Sequence, residues 1–419
     1  MFLYRILLAL AAPVFAFRLW REGAGAARQR LGGAIGGARR GAVIWLHAAS
    51  NGELTAARPL ILALLERDPR LTVLVTCNSA TGLELVRGWG LARVVARLAP
   101  LDYRRVLRRF IGGWQPDVLI LIENELWPNR MALMRALRRP VVVLSARMSA
   151  TSAARWGRLG GLARAVMHNI SWLSAQDSAS AARFLALGLP EARLGEALNL
   201  KTDAVPGDFD ADERDRLSGV FARATTVLAA STHDGEEAGL LRGFVDARAK
   251  NPALRMIIAP RHPRRAPEIA ALIERSRLPY ATRSAGEDPG PGTAVYLADT
   301  LGEMPLWYEL AGIVFVGGSL APQGGHTPFE PAAHGCALLH GPHLENFADI
   351  YAALAAGQAA IRVDDATGFA RALLRLDAGA QKALAARAAA VIEDHRNDAG
   401  LAPLLDKLAE LTGNACLRR

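Results

Sequence analysis

The chain has 419 residues, 51% of them hydrophobic and 21% charged, and 50 lysines and arginines against 40 acids leave a formal charge of +10. This composition excludes a disordered chain, and no apolar run reaches the roughly 18–20 residues of a spanning helix, which excludes a polytopic membrane protein. Three widely spaced cysteines, Cys77, Cys336 and Cys416, form neither a disulfide framework nor a zinc motif and fit a reducing compartment.

The charge is uneven. Residues 1–40 hold seven arginines against one acid, Glu22, and so carry +6 of the +10. Among them Ile6 to Phe17 is an unbroken apolar stretch of 12 residues. As a helix it would span only about 18 Å, against about 30 Å of bilayer core. The segment is read as an N-terminal membrane-anchoring helix, interfacial or re-entrant, whose flanking arginines suit an anionic cytoplasmic surface. A cleaved signal peptide and a buried first helix are the rival readings. The basic sequence that follows and the absence of a small-x-small site oppose the first of these.

From residue 42 short β-branched runs alternate with helical stretches. AVIWLHA, LTVLVTC, DVLILIE and PVVVLSA have little polar alternation, as expected of strands buried on both faces of a parallel sheet. At residues 202–216 the rhythm breaks into a polar, acidic segment with Pro and Gly, read as an interdomain linker. It then restarts with TTVLAAS, LRMIIAP, TAVYLAD, GIVFVGG and CALLHG, and the last ~50 residues look wholly helical. The expected organisation is an anchor at 1–40, a Rossmann-like domain at 41–204, and a second at 212–419 with a helical C-terminus. Ligands in such sheets bind at the carboxyl ends of the strands.

Those strand ends carry the chemistry. HAASNGEL (47–54) puts Glu53 near a helix start, where the dipole favours an ionised carboxylate and a general base could face a substrate. A helix-capping glutamate is the plainer alternative. In IENELWPN (122–129), Glu123 and Glu125 follow a strand, and an extended segment would turn both carboxylates to one side, the alternative being a surface cap. Lys201, in LNLKTD, stands out among 46 arginines and only four lysines; it is either a point charge for an anionic substrate or a solvated linker residue. In the second half, STHDGEE (231–237), APRHP (259–263) and the glycine-rich 315–335 stretch each follow a strand, and the last reads as a phosphate or nucleotide cradle with its amides pointing out. His326, His334, His340 and His343 crowd into 18 residues but lack metal-ligand spacing, so no metal and no cofactor are expected. No GxSxG, Walker A or GxGxxG motif occurs in a usable context, and no nucleic-acid-binding motif accompanies the charge.

HAASNGE, IENELWPN, LSARMS, LNLKTD, STHDGEE, APRHP, GGHTPFEPAAHG and GPHLENF stand in the same order as the motifs of the Kdo transferases, which this chain resembles from its N-terminus to about residue 360. These enzymes add 3-deoxy-D-manno-oct-2-ulosonic acid (Kdo) to lipid A precursors. The resemblance implies a GT-B fold of two facing Rossmann-like domains. It also implies an inner-membrane, cytoplasmic-side location, CMP-Kdo as donor and a lipid A precursor such as lipid IVA as acceptor. It matches Glu53 to the family's base, and Glu123 and Lys201 to residues that support the transition state. CMP would meet Pro260, Arg261, Gly302, Glu303, Met304, Thr327, Pro328, Phe329 and Glu330. Asn51, Asn124, Leu198 and Thr327 depart from the usual family residues; a paralogue using another nucleotide sugar or lipid, or a non-catalytic GT-B binding protein, are the alternative readings.

Overall fold

The computed structural model describes residues 1–33, 41–200, 209–394 and 401–417. The chain divides into two units, residues 1–203 together with 397–419, and residues 204–396.

In the first unit six strands, β1 (Val43–His47), β2 (Thr72–Cys77), β3 (Val94–Leu98), β4 (Val118–Ile122), β5 (Val141–Ala146) and β6 (Trp172–Ala175), form one sheet in the order β3-β2-β1-β4-β5-β6. Every pairing is parallel. The winding reverses between β1 and β4, so the loops after these two strands leave in opposite directions and open a crevice at their carboxyl ends. β1 and β4 are buried at every position, which is why their sequences are continuous apolar runs. Ile44, Leu46, Leu54 and Leu64 belong to the core on one face, and Trp45, Phe110, Leu119 and Met131 to that on the other.

The second unit repeats the plan with β7 (Thr226–Thr232), β8 (Arg255–Pro260), β9 (Tyr280–Thr282), β10 (Val295–Leu297), β11 (Ile313–Val316), β12 (Ala337–His340) and β13 (Ile361–Arg362). Its order is β13-β12-β11-β7-β8-β10-β9, again parallel throughout, with the reversal between β7 and β11. All nine strand runs read from the sequence are strands. β3, β6, β9 and β13 are additional; each lies towards or at a sheet edge.

Two expectations change. The last helix, Ala402–Thr412, does not belong with the second half: Leu404, Leu405 and Leu408 are buried in the first unit's core beside Leu60 and Leu64. Arg67 Nη1 donates to Leu417 O at 3.1 Å and Asn414 Nδ2 to Asp68 Oδ2 at 3.1 Å, which fastens the segment. The reason is composition: an Ala/Leu helix carries one apolar stripe that any uncovered core will bury, and its sequence does not say which. The single anchoring helix is likewise absent. Residues 2–30 form three short helices, Phe2–Leu10, Ala12–Glu22 and Ala24–Arg30, the second opening with Pro13 in its first turn. Among the described residues no helix is long and apolar enough to cross a membrane.

In the second unit, helices Glu237–Lys250 and Ala366–Arg375 pack at Gly243, where a methyl group would run into the Ala366 carbonyl oxygen. Nothing lies within 4 Å of a methyl group at Gly239, one turn earlier in the same helix. Gly243→Ala therefore destabilises the second unit by about 1–3 kcal/mol through overpacking. Gly239→Ala stabilises it by about 0.5–1 kcal/mol through helix propensity. Urea unfolding of the two variants should show midpoints displaced in opposite directions.

Candidate active site

In the first unit, two acidic segments sit at the reversal. Glu53 is the fourth residue of Ser50-Asn51-Gly52-Glu53, and Ser50 is the N-cap of helix Asn51–Arg67. The Ser50 hydroxyl accepts from Glu53 N at 3.3 Å, while Glu53 Oε1 accepts from that hydroxyl at 2.9 Å and Oε2 from Ala49 N at 2.7 Å. This is a capping box whose return bond reaches one residue further back than usual. The capping role is real, and it also fixes the carboxylate half-exposed at the end of β1.

The expectation that Glu123 and Glu125 face one way fails, because the segment is not extended. Glu123 has φ 57°, left-handed backbone that costs a non-glycine residue about 1–2 kcal/mol, and the chain turns there. Its amide still pairs with Leu144 O at 2.9 Å, next to Ser145, which is left-handed too (φ 52°). Glu125 turns back instead: its Oε2 accepts from Trp127 Nε1 at 2.6 Å, His47 Nε2 at 3.2 Å and Asn78 Nδ2 at 3.4 Å.

His47, fully buried, was missed by sequence reasoning as anything but the end of a strand. Its Nδ1 lies 3.0 Å from Thr76 Oγ1, which accepts from Trp45 Nε1 at 2.8 Å. Nδ1 also lies 3.0 Å from Thr76 O, and Nε2 with its proton donates to Glu125 in the neutral ring. Burial, reinforced by the Arg130 charge and opposed by Glu125, holds the His47 pKa down at about 4. Glu125 is held below the usual carboxylate range: burial pushes it up, but its bonds from His47 and Trp127 and the Arg130 charge outweigh burial. Arg130 is itself fully buried, 5.2 Å over the Trp45 ring, with Nη2 donating to Pro100 O at 3.2 Å.

Asp102 completes this end of the unit. Its Oδ1 and Oδ2 accept from the amides of Arg130 and Asn129 at 2.8 Å each, capping helix Pro128–Ala136 from outside. Oδ2 also accepts from Tyr4 Oη at 2.8 Å, and Tyr103 Oη donates to Leu8 O at 2.7 Å, so the first N-terminal helix is tied to the loop after the edge strand β3. Lys201 lies outside the described residues.

In the second unit the glycine-rich loop after β11 is built differently from the expected open cradle. Its amides are occupied: Glu236, 1% exposed, accepts from Gly318 N at 2.7 Å, Ser319 N at 3.0 Å, Leu320 N at 2.8 Å and His233 N at 2.8 Å. An internal carboxylate fills the anion nest. No local signal in STHDGEE could show this, because the amides lie more than 80 residues further along the chain.

The nine residues matched to the donor divide by burial. Pro260 and Pro328 are buried, Phe329 is in a core cluster and Met304 packs against another, so these side chains serve the core. Arg261 and Gly302 are exposed, and Glu303, Thr327 and Glu330 half-exposed. Glu303 accepts from Arg283 Nη2 at 2.6 Å and from the Thr300 hydroxyl. Gly302, Glu303 and Arg283 line a hollow of about 290 Å³ with Phe209, Asp210, Glu213 and Leu306. A larger hollow of about 870 Å³, lined by His340, Tyr351, Leu384 and Arg387 among others, contains none of the residues matched to the donor. The four crowded histidines part company: His326 meets His233, His334 meets Glu309, His340 Nδ1 meets Gly341 O, and His343 lies beside Glu345.

Residues 24–204 match the family model described as 3-deoxy-D-manno-octulosonic-acid transferase (kdotransferase). The 3-deoxy-D-manno-octulosonic acid transferase of Bordetella pertussis is 36% identical over 384 residues, covering 87% of this chain and 88% of that protein. The chain belongs to the Kdo transferase family. It is a glycosyltransferase. The Haemophilus influenzae transferase is also 36% identical, over 77% of this chain and 75% of its own. Among solved structures, a putative UDP-N-acetylglucosamine 2-epimerase from Listeria monocytogenes aligns with 90% of the transferase and 98% of its own chain, with TM-score 0.61 and 10% identity. Anabaena HepE in complex with UDP and glucose aligns with 88% of the transferase and all of its own chain, with TM-score 0.59 and 15% identity. These two likenesses are of fold, two parallel-sheet α/β domains of the GT-B kind.

The buried neutral His47 gives the transferase a pH signature. Unfolded, the ring takes a proton near pH 6.5; folded, only near pH 4. Between those values unfolding takes up a proton, so stability present above pH 6.5 is lost as pH falls towards 4, by about 3 kcal/mol in total. Glu125, depressed in the folded state, adds a further loss at lower pH, where its unfolded form protonates first. Urea unfolding of the first unit followed against pH should show the upper window in the native chain and lose it in His47→Gln.

Proposed function

We propose that the transferase moves Kdo from CMP-Kdo to a hydroxyl of a lipid A precursor, with inversion at the anomeric carbon and Glu53 as general base. The observation that carries this reading is the Glu53 carboxylate, held in one orientation by Ala49 N–H and the Ser50 hydroxyl at the carboxyl end of β1, where the first sheet reverses. Donors fixed on both oxygens hold the carboxylate in one orientation, from which it can take a proton from an acceptor hydroxyl.

In this scheme Glu53 takes the hydroxyl proton as the acceptor oxygen's electron pair forms the bond to the anomeric carbon. The bond from that carbon to the phosphate oxygen breaks, and CMP leaves with its electrons through an oxocarbenium-like state. Glu123 and Lys201 support the positive charge balance around the sugar and its carboxylate. Arg261, exposed at the end of β8, stabilises the departing phosphate. The backbone around Gly302–Met304 and Thr327–Glu330 holds the nucleotide.

The proposed location is the cytoplasmic face of the inner membrane, reached by surface contact. The first two helices expose Phe2 (79%), Ile6, Leu7, Leu10, Val14, Phe17 and Trp20 (77%) within 20 residues. Arg18 and Arg21 are exposed in the same stretch. Apolar side chains interleaved with arginines suit the headgroup boundary of an anionic bilayer.

Two outcomes test these readings. Glu53→Gln should lower transfer from CMP-Kdo to the lipid precursor by about 10²–10⁴-fold while CMP binding stays at the native level. Undiminished product by mass spectrometry would overturn the base assignment. Leu10→Glu, Phe17→Glu and Trp20→Glu together should release the transferase from vesicles containing anionic lipid; cosedimentation equal to the native chain would refute the surface contact.

A further inference from the structure

The helix between β3 and β4, Arg104–Trp114, has two unlike faces. Leu107, Phe110, Ile111 and Trp114 are buried in the first unit's core, where Phe110 meets Trp45 at 4.8 Å between ring centroids. The other face carries Arg104, Arg105, Arg108 and Arg109, all exposed. Positions three and four apart are neighbours on a helix surface, so Arg104 stands beside Arg108, and Arg105 beside Arg108 and Arg109. The helix contains no acid, and among the described residues none of the four guanidinium groups has a hydrogen bond or an ion pair.

This arrangement opposes two preferences of a helix at once. Arg104 and Arg105 occupy the first turn, where the dipole already presents positive charge, and like charges at i,i+4 repel. Asp102, the nearest acid in sequence, gives no relief. It is buried and turned to the amides of Asn129 and Arg130 and to the Tyr4 hydroxyl. The four arginines therefore weaken the first unit and find no compensation within it. Their charge is left for an anion outside the protein.

The neighbouring segment says which anion. Tyr103, the N-cap of this helix, donates from Oη to Leu8 O at 2.7 Å and meets the Phe15 ring edge-on at 6.1 Å. Further along, a Cβ at Gly32 would lie 2.6 Å from Val106 O, and one at Gly33 3.4 Å from Arg109 Nη2. The N-terminal helices thus lie against the arginine helix, and exposed Leu7, Leu10, Val14 and Phe17 belong to the same turns as Leu8 and Phe15. A nucleic acid or an acidic protein surface offers anions but no apolar phase for those side chains. A bilayer of anionic phospholipid offers both, and a planar guanidinium pairs well with its phosphates.

We propose that Arg104, Arg105, Arg108 and Arg109 form a phosphate-binding ridge by which the first unit lies on an anionic phospholipid bilayer. The proposal rests on the surface contact of the first two helices and adds to it an electrostatic element within the sheet domain itself. The N-terminal helices supply the apolar area. The ridge distinguishes anionic from neutral headgroups, and its own repulsion is relieved when phosphates bind.

Cosedimentation of the full chain tests it, with vesicles of phosphatidylcholine mixed with phosphatidylglycerol and with vesicles of phosphatidylcholine alone. The native chain should prefer the anionic vesicles, and its affinity should fall as salt is raised. Arg104→Gln, Arg105→Gln, Arg108→Gln and Arg109→Gln together should weaken that binding by about 10²-fold and flatten the salt dependence. A control with the same loss of charge at exposed arginines of the second unit, Arg242→Gln, Arg275→Gln, Arg371→Gln and Arg375→Gln, should stay within about threefold of native. The ridge substitutions should also raise the melting temperature of the first unit by about 2–4 °C, because the repulsion goes with the charge. A melting temperature unchanged or lowered would overturn the proposal, since the arginines would then serve the fold. Equal weakening in the control would make net charge the cause and overturn it too. Native affinity for anionic vesicles in the ridge variant would overturn the ridge, assign it to another acidic macromolecule and leave the helical surface contact standing. Equal binding of the native chain to both vesicles would likewise remove the ridge alone. Binding of the native chain to neither vesicle would overturn the surface contact and the ridge with it.

Discussion

Both sheets are parallel from edge to edge, and the rest of the structure follows from that constraint. A parallel strand is reached only through a crossover, so within each sheet the carboxyl ends collect on one rim, where that sheet's own reversal, β1/β4 or β7/β11, opens. Backbone amides of loops and helix starts gather on the same rim and need partners. Carboxylates meet this need at several points, among them Glu53 on Ala49, Asp102 on Asn129 and Arg130, and Glu236 on the glycine loop. Only the first of these carboxylates is left half-exposed; Asp102 and Glu236 are buried.

The arginine excess takes on a different meaning in the folded chain. Many guanidinium groups serve the main chain: Arg93 donates to Leu65 O and Asp68 O, Arg193 to His168 O and Ile170 O, and Arg223 to Tyr308 O, Glu309 O and His334 O. Arg30 reaches Asn78 O while paired with Glu22. A planar fork with five donors can bridge several carbonyls at a loop, where a lysine ammonium offers one point. A large part of the basic composition is thereby spent on loop carbonyls, and net charge alone overstated how much of it was free for anionic partners.

The fold was legible where burial is two-sided. β1, β2, β4, β5 and the central strands of the second sheet read as apolar runs because both faces are covered. β3 hides behind Arg97, whose Nη1 donates to Ala96 O; β9 and β13 have three and two residues, too short for a pattern. At the site, the alternative of a helix-capping glutamate at Glu53 was legible, and the structure adds its partner, Ser50. The turn at Glu123 was illegible because nothing in IENELW requires a left-handed glutamate; the β4–β5 pairing imposes it. The Glu236 nest and the His233–His326 contact join residues more than 80 positions apart, beyond any local pattern.

The return of helix Ala402–Thr412 to the first core makes the second unit an insertion within the first. On the ribosome the consequence is an inversion of order. Residues 204–396 have all their partners once the chain has grown to 396, whereas the first unit, begun earlier, waits for Leu404, Leu405 and Leu408. Until then the groove they fill beside Leu60 and Leu64 is open, and the N-terminal half is the part of the nascent chain that most needs shielding.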